Sequence, residues 1–587
     1  MDPSVTHKDQ YDLPASGQPN TQTHIEVSAV YEKDEENSSL DEILLRIGQF
    51  GRFQLMILSL ICVAMLFSAM FSVTYVFTAG TVTRRCKVPE CDSPSSAYEE
   101  PWTQFTIPTK SNGLDQCYRY ASNYTTNQTL TTTPADESLG LCYAHNFDNS
   151  TKERCSDNDF IFRDKEVTIA NEFGIYCGAE WKLTMVGTFG NVGQFVGIPL
   201  GGYVSDRFGR RTALVFGGFF SGILGLIRSF SPNYTTFVIF EFLDNMASSP
   251  MYSTCFIVGI ELVGPKRRVV ACSIVTIFYA IGEILLAVVA KYFQNWRLIL
   301  RIIYTPAVIC IGFIWILPES IRWLLSQAKD EEVKSILTRA ARINKRQLSD
   351  NSLDKLILAN RAKLATATGG KFPIKEAFKK LTWRIINCSL CWIVIVLVYY
   401  GISLNAVLLD GDKYNNFMFI ALVEIPGCFL PFLIMDRYGR RYSLCGTMLI
   451  SGICCLTTTF LPTDAFGWRL TLFLIGKFMI ATAFQILYFF TSEIFPTNVR
   501  NSLLCVCSMV GRVGSMLAPQ TPLLAKYDEN APAILFAISA ITSGILALLF
   551  PETTNIVLPT TMHDAHNIGV KQQKNKTEVN PSNNTNS

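Results

Sequence analysis

Four charged side chains interrupt long apolar stretches of this 587-residue chain: Glu283, Glu424, Lys477 and Arg512. An ionisable residue near the centre of a bilayer costs roughly 2.5–3.5 kcal/mol on insertion scales, so each of the four needs a partner or a water-filled cavity. Charges of both signs favour binding of a small organic ion that carries an ammonium group, a carboxylate or both. The four residues are therefore the first candidates for a substrate site.

Aromatic side chains supply the other half of a site for an ammonium ion. Trp392 and Tyr399 are seven residues apart, so they share one helix face. Tyr252 and Phe256 do the same with a spacing of four. A ring face within about 6 Å of an ammonium contributes about 0.5–2 kcal/mol. The alternative is that these rings only pack against other helices. Gln485 is a further candidate, because its amide could orient a substrate by hydrogen bonding.

The elements that carry these residues are apolar stretches long enough to cross a bilayer. Hydrophobic residues make up 49% of the chain and charged residues only 17%. A span needs roughly 20 apolar residues, and lipid offers a bare backbone no hydrogen-bond partner, so the spans must be helices. The sequence predicts an all-α membrane protein with twelve transmembrane helices, near residues 53–79, 183–204, 212–230, 235–259, 269–290, 298–317, 385–405, 414–435, 442–461, 469–491, 502–525 and 531–550.

Three sequence markers recur with almost the same offset, which indicates two copies of one unit. Asp206-Arg-Phe-Gly-Arg-Arg211 returns as Asp436-Arg-Tyr-Gly-Arg-Arg441, 230 positions later. The other two pairs are Glu261-Leu-Val-Gly-Pro-Lys-Arg-Arg268 with Glu493-Ile-Phe-Pro-Thr-Asn-Val-Arg500, and Pro318-Glu-Ser320 with Pro551-Glu-Thr553. Parallel repeats are typical of transporters that bind substrate at the midplane between two halves. We expect two parallel, pseudo-symmetric six-helix bundles.

The repeated charges also suggest a gate. Each Asp-Arg-x-Gly-Arg-Arg motif falls at a tight turn, where it can form a charge cluster with a glutamate that ends a span two helices later. Such a cluster could act as a cytoplasmic latch that forms when the substrate path opens outward and breaks when it opens inward. The alternative is that the motifs only anchor the turns to lipid headgroups. The gate candidates are Asp206, Arg210, Glu261, Asp436, Arg440 and Glu493.

Charge in the short connections predicts the orientation. Basic residues fall on alternate connections, which the positive-inside rule places in the cytoplasm together with both termini. The region 80–180 then lies outside and contains Cys86, Cys91, Cys117, Cys142, Cys155 and Cys177. These cysteines predict three disulfides with fifteen possible pairings. A zinc site is the alternative, but the cysteine spacing does not favour it. The predicted glycosylation acceptors are Asn123, Asn127, Asn149 and Asn233.

Polar segments divide the rest of the chain. Residues 1–40 and the tail 551–587 are predicted to be disordered in the cytoplasm. Residues 41–317 form the first bundle with its external loop, and residues 385–550 form the second. Between them, residues 318–384 form a cytoplasmic linker, in which the patterns at 331–342 and 353–358 predict short amphipathic helices under the bundle.

Three further stretches carry a family resemblance: Glu172-Phe-Gly-Ile-Tyr-Cys177, Pro318-Glu-Ser-Ile-Arg-Trp-Leu-Leu-Ser-Gln327 and Ser492-Glu-Ile-Phe-Pro-Thr-Asn-Val-Arg-Asn501. With the two Arg-rich motifs and the cysteine-rich loop, they resemble the organic cation, carnitine and organic anion transporters of the major facilitator superfamily, around residues 41–555. Sugar porters share the Arg-rich turns but not the long first loop. The resemblance implies a plasma-membrane carrier that works by alternating access.

The resemblance also implies a role for Arg512. This position looks like a selector, which is an aspartate in cation carriers and an arginine in anion and carnitine carriers. Glu283 stands where family members are usually neutral, and a carboxylate facing a guanidinium would suit a zwitterion or an amine. Such substrates include carnitine-like and β-alanine-like molecules and organic cations. The alternatives are that Arg512 is a structural partner of Glu424 or another acid, and that Glu283 pairs with Lys291.

Other candidates are also compared with the family. The four aromatic residues and Gln485 match family positions, and so do Glu424 and Lys477. Glu424 is the best candidate for a protonatable or cation-sensing residue, although pairing with Lys477 would make both structural. Glu241 and Asp244 are unusual, because the fourth span of many members starts with an arginine where Glu241 stands.

Other function classes fit the sequence less well. The chain has no Gly-Lys-Ser/Thr phosphate loop, and its five histidines form no paired metal spacing, so no enzyme activity, metal or cofactor is predicted. An organic anion transporter is one alternative, and a non-transporting glycosylated scaffold or sensor is another. Sodium coupling, proton coupling and simple exchange stay open, as does the oligomeric state. The expected partners are the lipid bilayer and a small organic ion, and not nucleic acid.

Overall fold

The computed structural model describes residues 40–110, 113–123, 142–156, 159–264, 267–367, 378–409, 411–462, 465–496, 500–525 and 527–554. Within these residues, twelve helices lie at the positions of the predicted spans, and we number them α1 to α12. The first six are Arg52–Val73 (α1), Trp181–Phe208 (α2), Arg210–Arg228 (α3), Tyr234–Leu262 (α4), Arg268–Phe293 (α5) and Trp296–Ile309 (α6). The second six are Thr382–Asn405 (α7), Lys413–Gly427 (α8), Arg440–Thr458 (α9), Phe466–Ile494 (α10), Arg500–Leu517 (α11) and Ala531–Ala547 (α12). The two segments predicted to be disordered lie almost entirely outside the described residues.

Each predicted span corresponds to one of these helices, and most helix ends differ from the predicted ends by only a few residues. The clear exception is α8, which breaks after Gly427 and resumes at Leu430–Tyr438 with a bend of 44°. Pro426 lies at the end of the first segment and Pro431 at the start of the second. A proline removes a backbone donor and clashes with the preceding turn. The two prolines therefore explain why the single span predicted at 414–435 is broken.

Three other helices continue as short helical segments. α1 is followed by Tyr75–Thr78, and α6 by a 3-10 turn at Cys310–Gly312 and the helix Phe313–Ile316. α11 is followed by a 3-10 turn at Ala518–Gln520 and the helix Thr521–Leu524. α7 likewise ends in a 3-10 turn at Ala406–Leu408. These extensions give α6 and α11 the length that a membrane span needs, which α1 reaches by itself.

By length and hydropathy, seven helices of the described residues can cross a membrane, and α8 with its continuation makes eight. α12 is apolar but has only 17 residues. α2, α4 and α9 do not reach the same hydropathy, and α2 and α4 carry buried polar residues, among them Asn191, Gln194, Glu241 and Asp244. Since these side chains are buried inside the bundle, they lower the hydropathy of a span without meeting lipid.

Three glycines bring α2 unusually close to α4. A Cβ atom added to any of them would lie within 2.3 Å of an atom of α4. The three are Gly193, Gly197 and Gly201, which are spaced four residues apart and so share one helix face. Small residues at this spacing let two helix backbones pack directly against each other. The close contact allows polar side chains of α2 and α4 to meet inside the first half.

The first Asp-Arg-x-Gly-Arg-Arg motif forms the turn between α2 and α3. Gly209 has a φ of +102°, a conformation that favours glycine. The carboxylate of Glu319 accepts hydrogen bonds from the backbone N–H groups of Arg210 at 2.8 Å and Arg211 at 3.1 Å. A negative side chain at a helix N-terminus satisfies free backbone donors and complements the helix dipole.

The second motif forms the same turn between α8 and α9. Gly439 has a φ of +87°, and Glu552 accepts from the backbone N–H groups of Arg440 at 2.9 Å and Arg441 at 3.1 Å. The Pro-Glu-Ser/Thr marker therefore recurs because its glutamate caps the helix that the Arg-rich marker begins. This relation between two repeat markers was not predicted from the sequence.

The region before α2 forms a small disulfide-bonded unit. Its strands are Arg84–Cys86 (β1), Thr109–Lys110 (β2), Gly113–Leu114 (β3), Tyr118–Ser122 (β4), Phe147–Arg154 (β5) and Phe160–Phe162 (β6). They form the antiparallel pairs β1–β6, β2–β3 and β4–β5. Single helical turns lie at Thr103–Thr106, Ala144–Asn146 and Ile169–Glu172. The six cysteines are joined as Cys86–Cys155, Cys91–Cys142 and Cys117–Cys177, with Cα–Cα distances of 5.7, 5.0 and 5.6 Å. The structure thus selects one of the fifteen pairings.

Four helices lie at the opposite end of the bundle. One precedes α1, and three follow α6: Leu40–Ile47, Ile321–Ser326, Asp330–Ile343 and Asp350–Ala367. The carboxylate of Asp41 joins the first two of them to α5, because it accepts from Arg268 at 2.6 Å and from Arg322 at 2.5 Å. We call this end the linker side, and the end that carries residues 80–180 the loop side.

We expect Gly197→Ala to destabilise the protein. Its new methyl group would meet the backbone oxygen of Met246 at 2.2 Å, and backbone cannot move aside as a flexible side chain can. Overpacking of this kind costs about 1–3 kcal/mol. Thermal unfolding of the detergent-purified protein measures the effect. The matched control is Gly202→Ala on the same helix, since a Cβ atom there meets nothing within 4 Å. Equal melting temperatures for the two variants would contradict the close α2–α4 contact.

Candidate functional site

Helices α7, α8 and α10 bring Lys477, Glu424 and Tyr399 together in the second half. Lys477 Nζ lies 2.8 Å from Glu424 Oε1, and both side chains are buried. Tyr399 donates its hydroxyl to the other carboxylate oxygen at 2.6 Å, and its ring centroid lies 3.2 Å from Lys477 Nζ. Lys477 also donates to Ser403 Oγ at 2.8 Å. The pairing of Glu424 with Lys477, which was one of the alternatives considered from the sequence, is therefore formed.

Glu283 approaches this pair from α5 in the first half. It is only 2% exposed, and its carboxyl group lies within hydrogen-bonding reach of the carboxyl group of Glu424. The alternative pairing of Glu283 with Lys291 is not formed, because Lys291 Nζ donates to Asp412 Oδ2 at 2.8 Å. Two carboxyl groups therefore share the neighbourhood of a single ammonium group, that of Lys477.

Tyr399, which lies beside these charges, belongs to a set of eight aromatic residues that we call the aromatic wall. Four were predicted: Trp392, Tyr399, Tyr252 and Phe256. Four were not singled out: Tyr279, Tyr400, Phe484 and Tyr488. Their rings contact one another at centroid distances of 5.2–5.7 Å, and the contact between Phe256 and Tyr488 at 5.4 Å joins the two halves. The wall therefore faces the interface between the halves and not lipid.

Members of the wall differ in exposure. Trp392 is 2% exposed and donates its indole N–H to Thr491 Oγ1 at 3.2 Å, which indicates a packing role. Tyr252, Phe256 and Tyr399 are half-buried. Gln485 is also half-buried, and no hydrogen bond joins its side chain to another residue in the described part of the chain. Its amide groups are therefore available to a ligand.

Arg512 lies in α11 and is half-buried at the same interface. Its Nη1 donates to Gln194 Oε1 of α2 at 3.2 Å, so its partner belongs to the opposite half. Tyr252 and Tyr488 of the aromatic wall lie within electrostatic reach of its guanidinium. Within the described ranges no carboxylate forms an ion pair with Arg512, so the alternative pairing with Glu424 is not formed.

A chain of buried hydrogen bonds leads from Arg512 into the first half. Gln194 Nε2 donates to Asn245 Oδ1 at 3.0 Å, and Asn245 Nδ2 donates to Glu241 Oε1 at 2.9 Å. An ionised carboxylate can only accept, so Glu241 fixes the orientation of the Asn245 amide. That amide in turn fixes Gln194 with its oxygen toward Arg512. Glu241 therefore sets the polarity of the contact that Arg512 makes.

Glu241 belongs to a fully buried charge cluster with Arg228, Asp244 and Tyr304. Arg228 pairs with Glu241, and its Nη1 lies 3.2 Å from Asp244 Oδ2. Arg228 Nη2 also donates to the hydroxyl of Tyr304 at 3.0 Å, which itself donates to Asp244 at 2.5 Å. Sequence reasoning marked the two acids as unusual but missed Arg228. The sequence did contain a signal for it. Arg228 lies inside the predicted span 212–230 and needs a partner there, and Glu241 and Asp244 follow in the next span.

In the first half, the predicted gate residues form contacts within that half. Arg210 Nη1 lies 2.6 Å from Asp206 Oδ1, and Glu261 accepts from the hydroxyl of Ser320. The side chain of Asp206 is 76% exposed, so this pair contributes little to stability.

In the second half the arrangement is similar. Arg440 lies 3.2 Å from Glu493 and 3.3 Å from Asp436, and Thr553 donates to Glu493 at 2.6 Å. These contacts hold the linker-side ends of α8, α9 and α10 together. The role of the six residues as a gate stays a prediction.

Polar contacts between the halves are found on the loop side. Gln520 in the extension of α11 donates to Thr188 of α2 at 2.7 Å and lies 3.0 Å from the hydroxyl of Thr184. The pair between Lys291 and Asp412 links α5 to α8. Although burial opposes it, the hydrogen bond from Lys291 and the backbone N–H groups at the start of α8 lower the pKa of Asp412. This pair therefore keeps its charge when the pH falls slightly.

A cavity of about 860 Å³ lies on the loop side. Its lining includes Thr184, Asn405 and Pro519. Pro519 follows Arg512 by seven residues, which places the cavity about 10 Å nearer the loop side at the helical rise. None of the nine predicted substrate residues lines it. The charged site is thus a separate, deeper region.

The predicted glycosylation acceptors can be placed in part. Asn123, Asn149 and Asn233 are exposed on the loop side, and Asn127 lies outside the described residues. Their modification stays a prediction.

Comparison with protein families gives a match to the model described as "Sugar (and other) transporter" over residues 117–561. Solute carrier family 22 member 3 of Rattus norvegicus is 30% identical over 93% of this chain and 100% of its own length. Organic cation/carnitine transporter 2 of Homo sapiens is 31% identical over 91% and 95%. The organic cation transporter protein of Drosophila melanogaster is 29% identical over 92% and 96%.

Solved structures support the fold. A partially occluded, inward-open conformation of the xylose transporter XylE from E. coli aligns with a TM-score of 0.53, 18% identity and coverage of 64% of this chain and 89% of that chain. XylE bound to 6-bromo-6-deoxy-D-glucose aligns with a TM-score of 0.51 and 18% identity over 65% and 88%. The predicted fold, with two parallel bundles of six helices, is confirmed.

We expect Arg228→Met to be strongly destabilising. It removes the only cation of a cluster with two buried carboxylates, and breaking a buried ion pair in this way costs about 3–5 kcal/mol. Thermal unfolding in detergent measures the loss. The exposed Arg207→Met serves as the control and should leave the melting temperature nearly unchanged. Adding Glu241→Gln to Arg228→Met should recover part of the loss. If it does not, the cluster is not held by charge compensation.

Proposed function

The chain belongs to the sugar (and other) transporter family of the major facilitator superfamily, and from this membership we propose that it carries small zwitterions across the plasma membrane by alternating access. The predicted resemblance to organic cation and carnitine transporters is confirmed by the relatives. The protein is a transporter and not an enzyme. The proposed substrates are carnitine-like or β-alanine-like molecules, which carry an ammonium group and a carboxylate.

The observation that carries this proposal is the separation of opposite charges along the aromatic wall. Arg512 lies near Tyr252 and Tyr488, whereas Glu283 lies near Tyr279 and Tyr399, and Glu424 lies near Tyr399. A molecule with a negative and a positive end can therefore contact both regions at once. The rings between them can pack against its methylene groups and its ammonium.

Arg512 is suited to bind the carboxylate. A guanidinium has five N–H donors in a planar fork, and Arg512 uses one of them on the neutral amide of Gln194. The remaining donors are available for bidentate contact with a carboxylate. Because Glu241 and Asn245 hold Gln194 in place, this contact is preorganised.

The acid pair is suited to bind the ammonium. Glu283 and Glu424 carry two negative charges when both are ionised, and Lys477 supplies one positive charge. The surplus negative charge attracts a cation, and Tyr399 offers a ring face beside it. A simple organic anion would find this region repulsive, which argues against the organic anion alternative.

The same reasoning favours the predicted orientation. Disulfides and glycosylation acceptors are expected outside the cell, so we assign the loop side to the exterior and both termini to the cytoplasm. Contacts such as Gln520 with Thr188, and Lys291 with Asp412, then close the exterior end. They must break for the substrate path to open outward. The exposed charges of Asp206 and Asp436 on the linker side remain the candidates for a cytoplasmic latch.

The matched probes for this function are carnitine, choline and 3-hydroxybutyrate. Choline keeps the trimethylammonium group of carnitine without the carboxylate, and 3-hydroxybutyrate keeps the carboxylate without the ammonium. We expect saturable uptake of carnitine into cells that express the protein, with weaker uptake of the other two. Absence of saturable flux for zwitterions, cations and anions alike would favour the scaffold or sensor alternative.

We expect Arg512→Gln to raise the KM for carnitine about ten- to a hundredfold, since a charged hydrogen bond contributes about 1.5–3 kcal/mol. Uptake of choline should change little. Arg512→Asp should reverse the preference, so that choline is taken up better than carnitine. Surface labelling of each variant controls for expression. An unchanged ratio of carnitine to choline uptake in Arg512→Asp would show that Arg512 does not select the substrate.

A further inference from the structure

Glu283 is a buried carboxyl group that forms no salt bridge with a basic side chain in the described part of the chain. It is 2% exposed, and the hydrogen-bonding neighbour it has within the described residues is the carboxyl group of Glu424. Two ionised carboxylates have no donor between them, so a hydrogen bond between these groups requires a proton on one of them. The geometry itself therefore calls for one bound proton.

Charge compensation leads to the same result. Lys477 Nζ, 2.8 Å from Glu424, neutralises one carboxylate. In surroundings without water the second carboxylate must take up a proton or a cation from solution. The other titratable groups that face the pair are four phenols, Tyr399 and Tyr400 on α7, Tyr279 on α5 and Tyr252 on α4, and the thiol of Cys428 directly after α8. Helix α1 approaches through the backbone of Leu66 at Gly282 and adds no charge there.

We propose that Glu283 and Glu424 hold one proton between them and release it when the ammonium group of the substrate takes its place, so that substrate is exchanged for protons. The inference rests on the proposed function, because it uses the same ammonium site. No covalent bond of the substrate changes. The proton passes from the carboxyl group to water on the side to which the site is open. A proton from the opposite side later displaces the ammonium and restores the starting state.

A single shared site makes exchange the expected mode. The ammonium and Lys477 together balance the two ionised carboxylates, and a bound proton with Lys477 does the same. Binding both a proton and an ammonium would leave a net positive charge in a buried site, which is unfavourable. The two cations therefore bind alternately, and the exchange is one for one.

Carnitine is the probe of choice, because its trimethylammonium group is permanently charged and cannot release a proton. We would reconstitute the purified protein in liposomes with the membrane potential clamped at zero. Each unit by which the internal pH lies below the external pH should then drive about tenfold accumulation of labelled carnitine in a one-for-one exchange. A pH-sensitive dye inside the liposomes should report proton exit in step with carnitine entry. External acid should raise the KM for carnitine and leave the maximal rate unchanged.

Glu283→Gln tests the residue itself. The amide mimics the protonated carboxyl group, so carnitine uptake should lose its response to the pH gradient and show a raised KM. Glu283→Asp retains a titratable carboxyl group and should keep the response, which guards against misfolding of the first variant. The control is Glu331→Gln, an exposed acid on the linker helix Asp330–Ile343. It should behave as the unmodified protein does.

The outcomes separate the two proposals. Carnitine uptake that depends on Arg512 but ignores the pH gradient would overturn proton exchange and leave the proposed function intact. Uptake that requires sodium, or a pH response that survives in Glu283→Gln, would also overturn it. Absence of any carnitine uptake would instead overturn the proposed function. The lowered pKa of Asp412 keeps the loop-side pair ionised at mildly acid pH, so the pH response does not originate there.

Discussion

Two cations that this protein removes from water, Lys477 and Arg228, are each held against a carboxylate on another helix, and the interior is organised around these two compensations. Lys477 joins α10 to α8 through Glu424, and Arg228 joins α3 to α4 through Glu241. The reason is energetic, since an isolated ion in a region of low dielectric is far less stable than a compensated one. Close helix packing, such as the glycine contact between α2 and α4, is what brings these groups within reach.

The two halves use this constraint differently, although their turns on the linker side are nearly identical. Arg228 contacts Asp244 and Tyr304 within the first half, so its cluster is complete there. The amides of Asn245 and Gln194 connect this cluster to Arg512 in the second half. The cluster around Lys477 is open, because Glu283 enters it from the opposite half. The symmetric ends therefore frame an asymmetric interior. An asymmetric site is what a substrate with different chemical groups at its two ends requires.

The sequence was sufficient to predict the spans, the repeat and the three disulfides, because these depend on local hydropathy, on repeated motifs and on cysteine content. It also identified Arg512, Glu283, Glu424 and Lys477 as charges that need partners. It could not decide the partners, since that choice depends on which helix faces meet. Hence Gln194 and Arg228 were missed, and the alternatives of Glu424 for Arg512 and Lys291 for Glu283 were wrong. The bend in α8 is a different case, because its cause is local. Pro426 and Pro431 were visible in the sequence and could have predicted it.

The glutamates that cap the duplicated turns have a mechanical consequence. Glu319 stands immediately after the last span of the first half, and Glu552 immediately after the last span of the second, yet each is fastened to a turn formed much earlier in its own half. The segment that follows the last span of each half is thus bound to that half by its glutamate. In the proposed alternating-access cycle, Glu319 and Glu552 would therefore move with the turns of their own halves, so the linker would start from a point fixed to the first half.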